Sequence, residues 1–295
     1  MKGNFTADDF CKVRKFLCIG AHCDDTELRI GPVASRLMRN GAEGIQWTMI
    51  DGPWTPGLKE DCKAQELLDA RSAENAKASE VMGFSKLHSF HLRAWHLYRE
   101  VCEVNPFKFY FPDFSTRETL EETIGKAMYT GRPMGIFAQR LPWFQEEFVP
   151  MLEDVDPDVI FTHSMNDLHP DHYTVCSMVL RAIQASEKLR DKPVLMWRSG
   201  GNGGCMKLLP THMIEVSRAD IALTEEAMRC YPSQFTQKMM DTQSQVYAEY
   251  GKVCGKKYAV ALTQMFHPQY NIHHNPAEYV ADELRTDASF EVVRL

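Results

Sequence analysis

Two short apolar runs in this chain each end abruptly in a cluster of His and Asp, and that arrangement constrains the fold more than any other feature. Residues 16–21 run into His22-Cys23-Asp24-Asp25-Thr26-Glu27, and residues 158–162 run into His163 and then His169-Pro170-Asp171-His172. A continuous apolar run of this length, bounded by polar residues, reads as a buried strand. Amphipathic helical stretches follow such runs at 32–41, at 60–82 up to Gly83, and at 171–189. The alternation predicts an α/β fold: a Rossmann-like, doubly wound, mostly parallel sheet with helices on both faces. Ligands of such sheets gather beyond the carboxyl ends of the strands. Both His and Asp clusters would then share one end of one sheet.

Further strands are expected at 44–50, 87–92, 194–197 and 212–216. Helices are expected over 146–154 and, separated near Pro232, over 220–250. Residues 93–147 mix aromatics with Pro and Gly around a possible helix at 116–129 and read as an irregular inserted segment. The whole of 1–295 is read as a single domain carrying that elaboration. Residues after 251 show no clear pattern.

With 44% hydrophobic and 25% charged residues, the composition is that of a folded globular chain. Lys plus Arg number 33 against 40 Asp plus Glu, and the net charge of −7 would repel a phosphate backbone, so nucleic acid is not an expected partner. No apolar run approaches a signal sequence or the roughly 20 residues of a membrane span. Nine cysteines form an odd, scattered set without C-x-x-C spacing, which reads as reduced thiols in a cytoplasmic protein. A homo-oligomer is compatible with all of this.

Imidazole and carboxylate side chains at two strand ends suit zinc or a similar divalent ion. A catalytic site uses about three of them and keeps a position for water. The plainer reading, in which Asp caps helix N-termini and His bonds locally, covers Asp24 or Asp171 singly but not the full set. Two His and one carboxylate also form the triad of non-haem iron oxygenases, and a metal- or ligand-binding module without turnover is a third reading.

Ala21-His22-Cys23-Asp24-Asp25-Thr26-Glu27 followed by His169-Pro170-Asp171-His172 resembles the paired motifs of the LmbE-like or PIG-L metal-dependent deacetylases. Arg71-x-x-Glu74, Pro157-Asp158-Val159-Ile160 and the stretch from Ala227 to Gln234 are similar to further family features. The resemblance implies that His22, Asp25 and His172 bind Zn2+, with Fe2+ or Mn2+ as other candidates. It implies Asp24 as general base, His169 as the group that polarises or protonates the substrate, and Asp171 as the residue that orients a neighbouring histidine. The implied reaction removes an N-acetyl or related N-acyl group from a small-molecule amine, an amino sugar or glycoconjugate.

The chain departs from that family pattern at Cys23, where Pro is usual, and at Leu28-Arg29-Ile30-Gly31-Pro32, where glycines commonly follow. Cys23 reads as a packed thiol. Arg71 and Glu74 share a helix face, either as a solvated pair or, for Arg71, as a substrate contact. His267, His273 and His274 read as surface chain, and Gly200-Gly201-Asn202-Gly203-Gly204, which lacks a following Lys-Ser or Lys-Thr, reads as a plain turn.

Overall fold

The computed structural model describes residues 5–51, 64–93, 142–165, 167, 169–197, 210–265 and 290–295. The expected helix at 116–129, most of the 93–147 segment, the 200–204 loop and the histidines at 267, 273 and 274 lie outside the described residues.

After α1 (Ala7–Phe10), the chain alternates β1 (Lys15–Gly20), α2 (Asp25–Arg39), β2 (Glu43–Asp51), α3 (Ala64–Met82) and β3 (Lys86–Arg93). A π-helical turn (Phe144–Phe148) leads into α4 (Val149–Val155), then β4 (Val159–Thr162), α5 (Pro170–Ala185) and β5 (Val194–Trp197). The remainder is β6 (His212–Glu215), α6 (Arg218–Met228), α7 (Gln237–Val253), β7 (Ala259–Gln264) and β8 (Glu291–Arg294). The sheet order is β3-β2-β1-β4-β5-β7-β6-β8. Strands β3 to β5 are mutually parallel, β7 runs antiparallel to β5 and β6, and β8 is parallel to β6. This is the expected mostly parallel α/β sheet.

Period-two alternation along the central strands builds two cores. Phe16, Cys18, Val159 and Phe161 pack with Ile30, Val33 and Leu37 of α2, Met82 of α3 and Ile221 of α6. Leu17, Ile19 and Ile160 face the other way, onto Leu152 of α4 and Val175, Val179 and Ile183 of α5. At about 1.5 to 3 kcal/mol for each fully buried large apolar side chain, these two layers fix the register of β1 against β4.

The sequence places Pro32 in a first helical turn, but α2 begins at Asp25, so Pro32 sits inside the helix. Pro has no N–H for the carbonyl four residues earlier. The Tyr247 hydroxyl of α7 donates to that Leu28 carbonyl at 3.2 Å, supplying the missing bond. Strands β7 and β8, beyond the point where the sequence pattern fades, complete the sheet.

Candidate metal centre

Strands β1 and β4 are neighbours, yet β1 leads to α2 on one face and β4 leads to α5 on the other. At such a switch point the two outgoing loops part and leave a crevice. Gly20 closes β1 because its backbone approaches the loop: a Cβ there would stand 3.2 Å from both the Asp25 Cβ and the His22 carbonyl oxygen.

Three donor side chains converge in that crevice. His22 Nδ1 lies 3.3 Å from His172 Nε2, 3.4 Å separates His22 Nδ1 from Asp25 Oδ2, and 3.4 Å separates His172 Nε2 from Asp25 Oδ1. The other nitrogen of each ring is occupied. Asp171 Oδ2 takes His22 Nε2 at 3.1 Å, and Asp167 Oδ2 takes His172 Nδ1 at 2.7 Å. Each carboxylate holds a ring proton on its own side, so the nitrogen that each ring can offer an ion faces Asp25. Two imidazole nitrogens and a carboxylate at such separations can share a cation, a proton on His22 in the metal-free state or a divalent ion in its place. An ion about 2.0 to 2.1 Å from each donor at tetrahedral angles spaces its ligand atoms by about 3.3 to 3.4 Å, so the set fits zinc or a similar ion. The same crowding acts on protons. Burial opposes the charge on His22, but its bonds to Asp171 and Asp25 outweigh that and hold it up at about 10. Burial would raise Asp25, but the neighbouring His172 and His163 rings hold it low.

The loop of residues 21–25 shapes the rest. Asp24 occupies the N-cap position of α2 but makes no side-chain capping bond there. Its Oδ1 pairs with Arg71 Nη2 at 3.3 Å instead, and it belongs to none of the ligand triads. Arg71 lies buried beneath the loop, with Nε donating to Cys23 Sγ at 3.1 Å. The Tyr231 hydroxyl donates to the Cys23 carbonyl and also lies 3.0 Å from Asn75 Oδ1. Glu74 accepts from the Ser233 backbone N–H at 3.3 Å and from its hydroxyl. The late Tyr-Pro-Ser stretch is thereby tied to α3.

His169 is the N-cap of α5, and its Nδ1 accepts the Asp171 N–H at 3.3 Å, which leaves its proton on Nε2. Its ring stacks on His172 with centroids 4.4 Å apart and meets His22 edge-on at 5.0 Å. Burial, then the His22 charge, pushes it down to about 3, so at neutral pH it is a neutral N–H donor.

Sequence reasoning left three contributors unassigned. Asp167 also accepts the His169 N–H at 2.9 Å, so one carboxylate pins both histidines; its place inside His-x-x-x-Asp-x-His was the available signal. His163 is fully buried and stacks on His172 at 4.0 Å, with Nε2 3.2 Å from Asp25 Oδ2 and 2.9 Å from the Ala21 backbone nitrogen. The Trp197 indole N–H reaches its Nδ1 at 3.2 Å. Nothing local in the sequence marks Trp197, because only the sheet order brings β5 beside β4.

The family model described as PIG-L, GlcNAc-PI de-N-acetylase, matches residues 17–183, more than half of the chain and both clusters. The chain belongs to the PIG-L family. Among solved structures, this PIG-L protein is similar to the N,N′-diacetylchitobiose deacetylase of Pyrococcus horikoshii, with 17% identity over 89% of this chain and 90% of that one and a TM-score of 0.61. It is similar to the zinc-inhibited teicoplanin deacetylase Orf2, with 16% identity, coverage of 85% and 97%, and a TM-score of 0.59. GalB of Pseudomonas putida KT2440, a 4-carboxy-2-hydroxymuconate hydratase, has the same fold at 15% identity, coverage of 86% and 96%, and a TM-score of 0.55. No curated protein matches. The fold thus carries both deacetylases and a hydratase, and the chemistry of this chain has to be argued from its own side chains. Among the described residues, no helix is long and apolar enough to cross a membrane.

Proposed function

We propose that this chain is a cytoplasmic, single-domain, zinc-dependent hydrolase that removes an N-acetyl or related N-acyl group from an amino sugar or glycoconjugate. The observation that carries the reading is the meeting of His22 Nδ1, His172 Nε2 and the Asp25 carboxylate within 3.3 to 3.4 Å of one another, beside a second carboxylate, Asp24, that is kept out of the set. The named substrates of two structural neighbours, an N-acetylated disaccharide and a glycopeptide, support the substrate class.

In this reading His22, Asp25 and His172 hold the ion. When bound, a divalent ion acidifies water and polarises a carbonyl oxygen. Asp24 Oδ2, the oxygen not engaged by Arg71, accepts the proton from the attacking water and returns it to the departing amine. His169 Nε2–H donates to the carbonyl oxygen as negative charge develops there, acting as a neutral donor rather than an imidazolium. Asp171 and Asp167 hold His22 and His172 in the tautomers that turn their lone pairs inward.

The test is metal analysis of the purified protein, followed by acetate release from N-acetylglucosamine and N,N′-diacetylchitobiose. The expected result is one equivalent of metal per chain and acetate release that chelation abolishes and zinc restores. Metal-free protein that neither takes up zinc nor releases acetate would overturn the proposal.

A further inference from the structure

We propose that Arg71 is a positioning residue that aims the Asp24 carboxylate, and that the Cys23 sulfur is the second anchor of that device. The inference rests on the reading of Asp24 as general base.

One edge of the Arg71 guanidinium spans two consecutive side chains, with Nε on Cys23 Sγ at 3.1 Å and Nη2 on Asp24 Oδ1 at 3.3 Å. The guanidinium is a rigid plane, so fixing Nε also fixes the direction of Nη2. The Arg71 side chain is 6% exposed and lies beneath the loop, which leaves it no open face for a ligand. Asp24 stands at the N-cap of α2 without making the capping bond. Its carboxylate has therefore given up the usual local partner in favour of Arg71.

Cys23 is held from both sides. Its carbonyl takes the Tyr231 hydroxyl, and its sulfur takes the Arg71 Nε–H. One turn beyond Arg71 in α3, Asn75 donates to Thr48 Oγ1 at 3.1 Å and contacts the Tyr231 hydroxyl, which fixes α3 relative to the loop. The family's usual Pro at this position would restrain φ but offer Arg71 no acceptor. In this chain a side-chain contact replaces a backbone restraint, and the contact runs through the same guanidinium that holds Asp24.

The experiment uses zinc-loaded full-length protein with N,N′-diacetylchitobiose and the variants R71K, R71M, C23A, C23S and R71M/C23A. Misaiming a reacting group by about 1 Å costs on the order of a hundredfold, so R71M is expected to lower kcat by about that factor with zinc content and KM unchanged. R71K keeps the charge without the fork and should recover only part of the loss. C23A should lower kcat several-fold, C23S should restore part of it, and C23A should have no further effect in the R71M background. A rise in KM at unchanged kcat would make Arg71 a substrate contact, and multiplicative losses in the double variant would make Cys23 independent; either overturns the proposal. A second readout needs no turnover. The Arg71 Nε–H resonance, identified by its loss in R71K, should exchange slowly with water in wild type and rapidly in C23A; unchanged exchange in C23A overturns the proposal. If wild type releases no acetate while that exchange contrast holds, the deacetylase reading fails and the anchoring of Arg71 by Cys23 stands.

Discussion

His22 Nε2 lies 3.1 Å from Asp171 Oδ2 across 149 residues of sequence, which makes the two cluster loops a single structural unit. The contact keeps a proton on Nε2 and makes Nδ1 the nitrogen that a cation can take.

Replacing Asp171 with Asn keeps the shape but removes the carboxylate that fixes this tautomer. The D171N variant should fold as wild type by circular dichroism and bind zinc about 10- to 100-fold more weakly in a chelator competition. An unchanged affinity would remove Asp171 from the site.

Asp167 does the same for His172 and also holds the His169 backbone N–H. D167A should therefore weaken zinc binding by a similar 10- to 100-fold and lower kcat even at saturating zinc, because the donor His169 is displaced as well. Kinetics at saturating zinc separate the two effects.

Metal uptake should depend on pH with a definite sign. With His22 held at about 10, the metal-free site keeps a proton on it throughout the neutral range. Zinc must displace that proton, so affinity falls at least tenfold for each pH unit between 8 and 6, and loading at pH 7 releases at least one proton per ion. Calorimetry in buffers of different ionisation enthalpy measures that number, and a value of zero would contradict it.

Much of this was legible in the sequence because strand-end clusters and strand-helix alternation are local patterns. The run at 16–21, the helix before Gly83 and the strand at 194–197 follow from local apolar runs and helical spacing alone. Pro32 misled the start of α2, since Pro favours a first helical turn and only the fold shows that the distant Tyr247 serves the carbonyl it orphans. The partnerships of Arg71 with Cys23, of His163 with Trp197 and of Tyr231 with the loop depend on tertiary packing, and no spacing in the sequence encodes them.

Tyr247 offers a stability test away from the chemistry. Y247F removes the donor to the Leu28 carbonyl and leaves it unsatisfied beside Pro32, at a cost of about 1 to 3 kcal/mol in urea unfolding. Zinc affinity should fall little, and an unfolding midpoint equal to wild type would show that the carbonyl finds water instead.

The most direct test of the metal centre is the X-ray absorption spectrum of the zinc-loaded protein at one equivalent. Two imidazole nitrogens and one carboxylate oxygen at about 2.0 to 2.1 Å, with a further light-atom ligand, are the expected coordination sphere, and H172A should lose one imidazole. A sulfur shell near 2.3 Å, placing Cys23 on the ion, or an imidazole count that H172A leaves unchanged, would contradict the account.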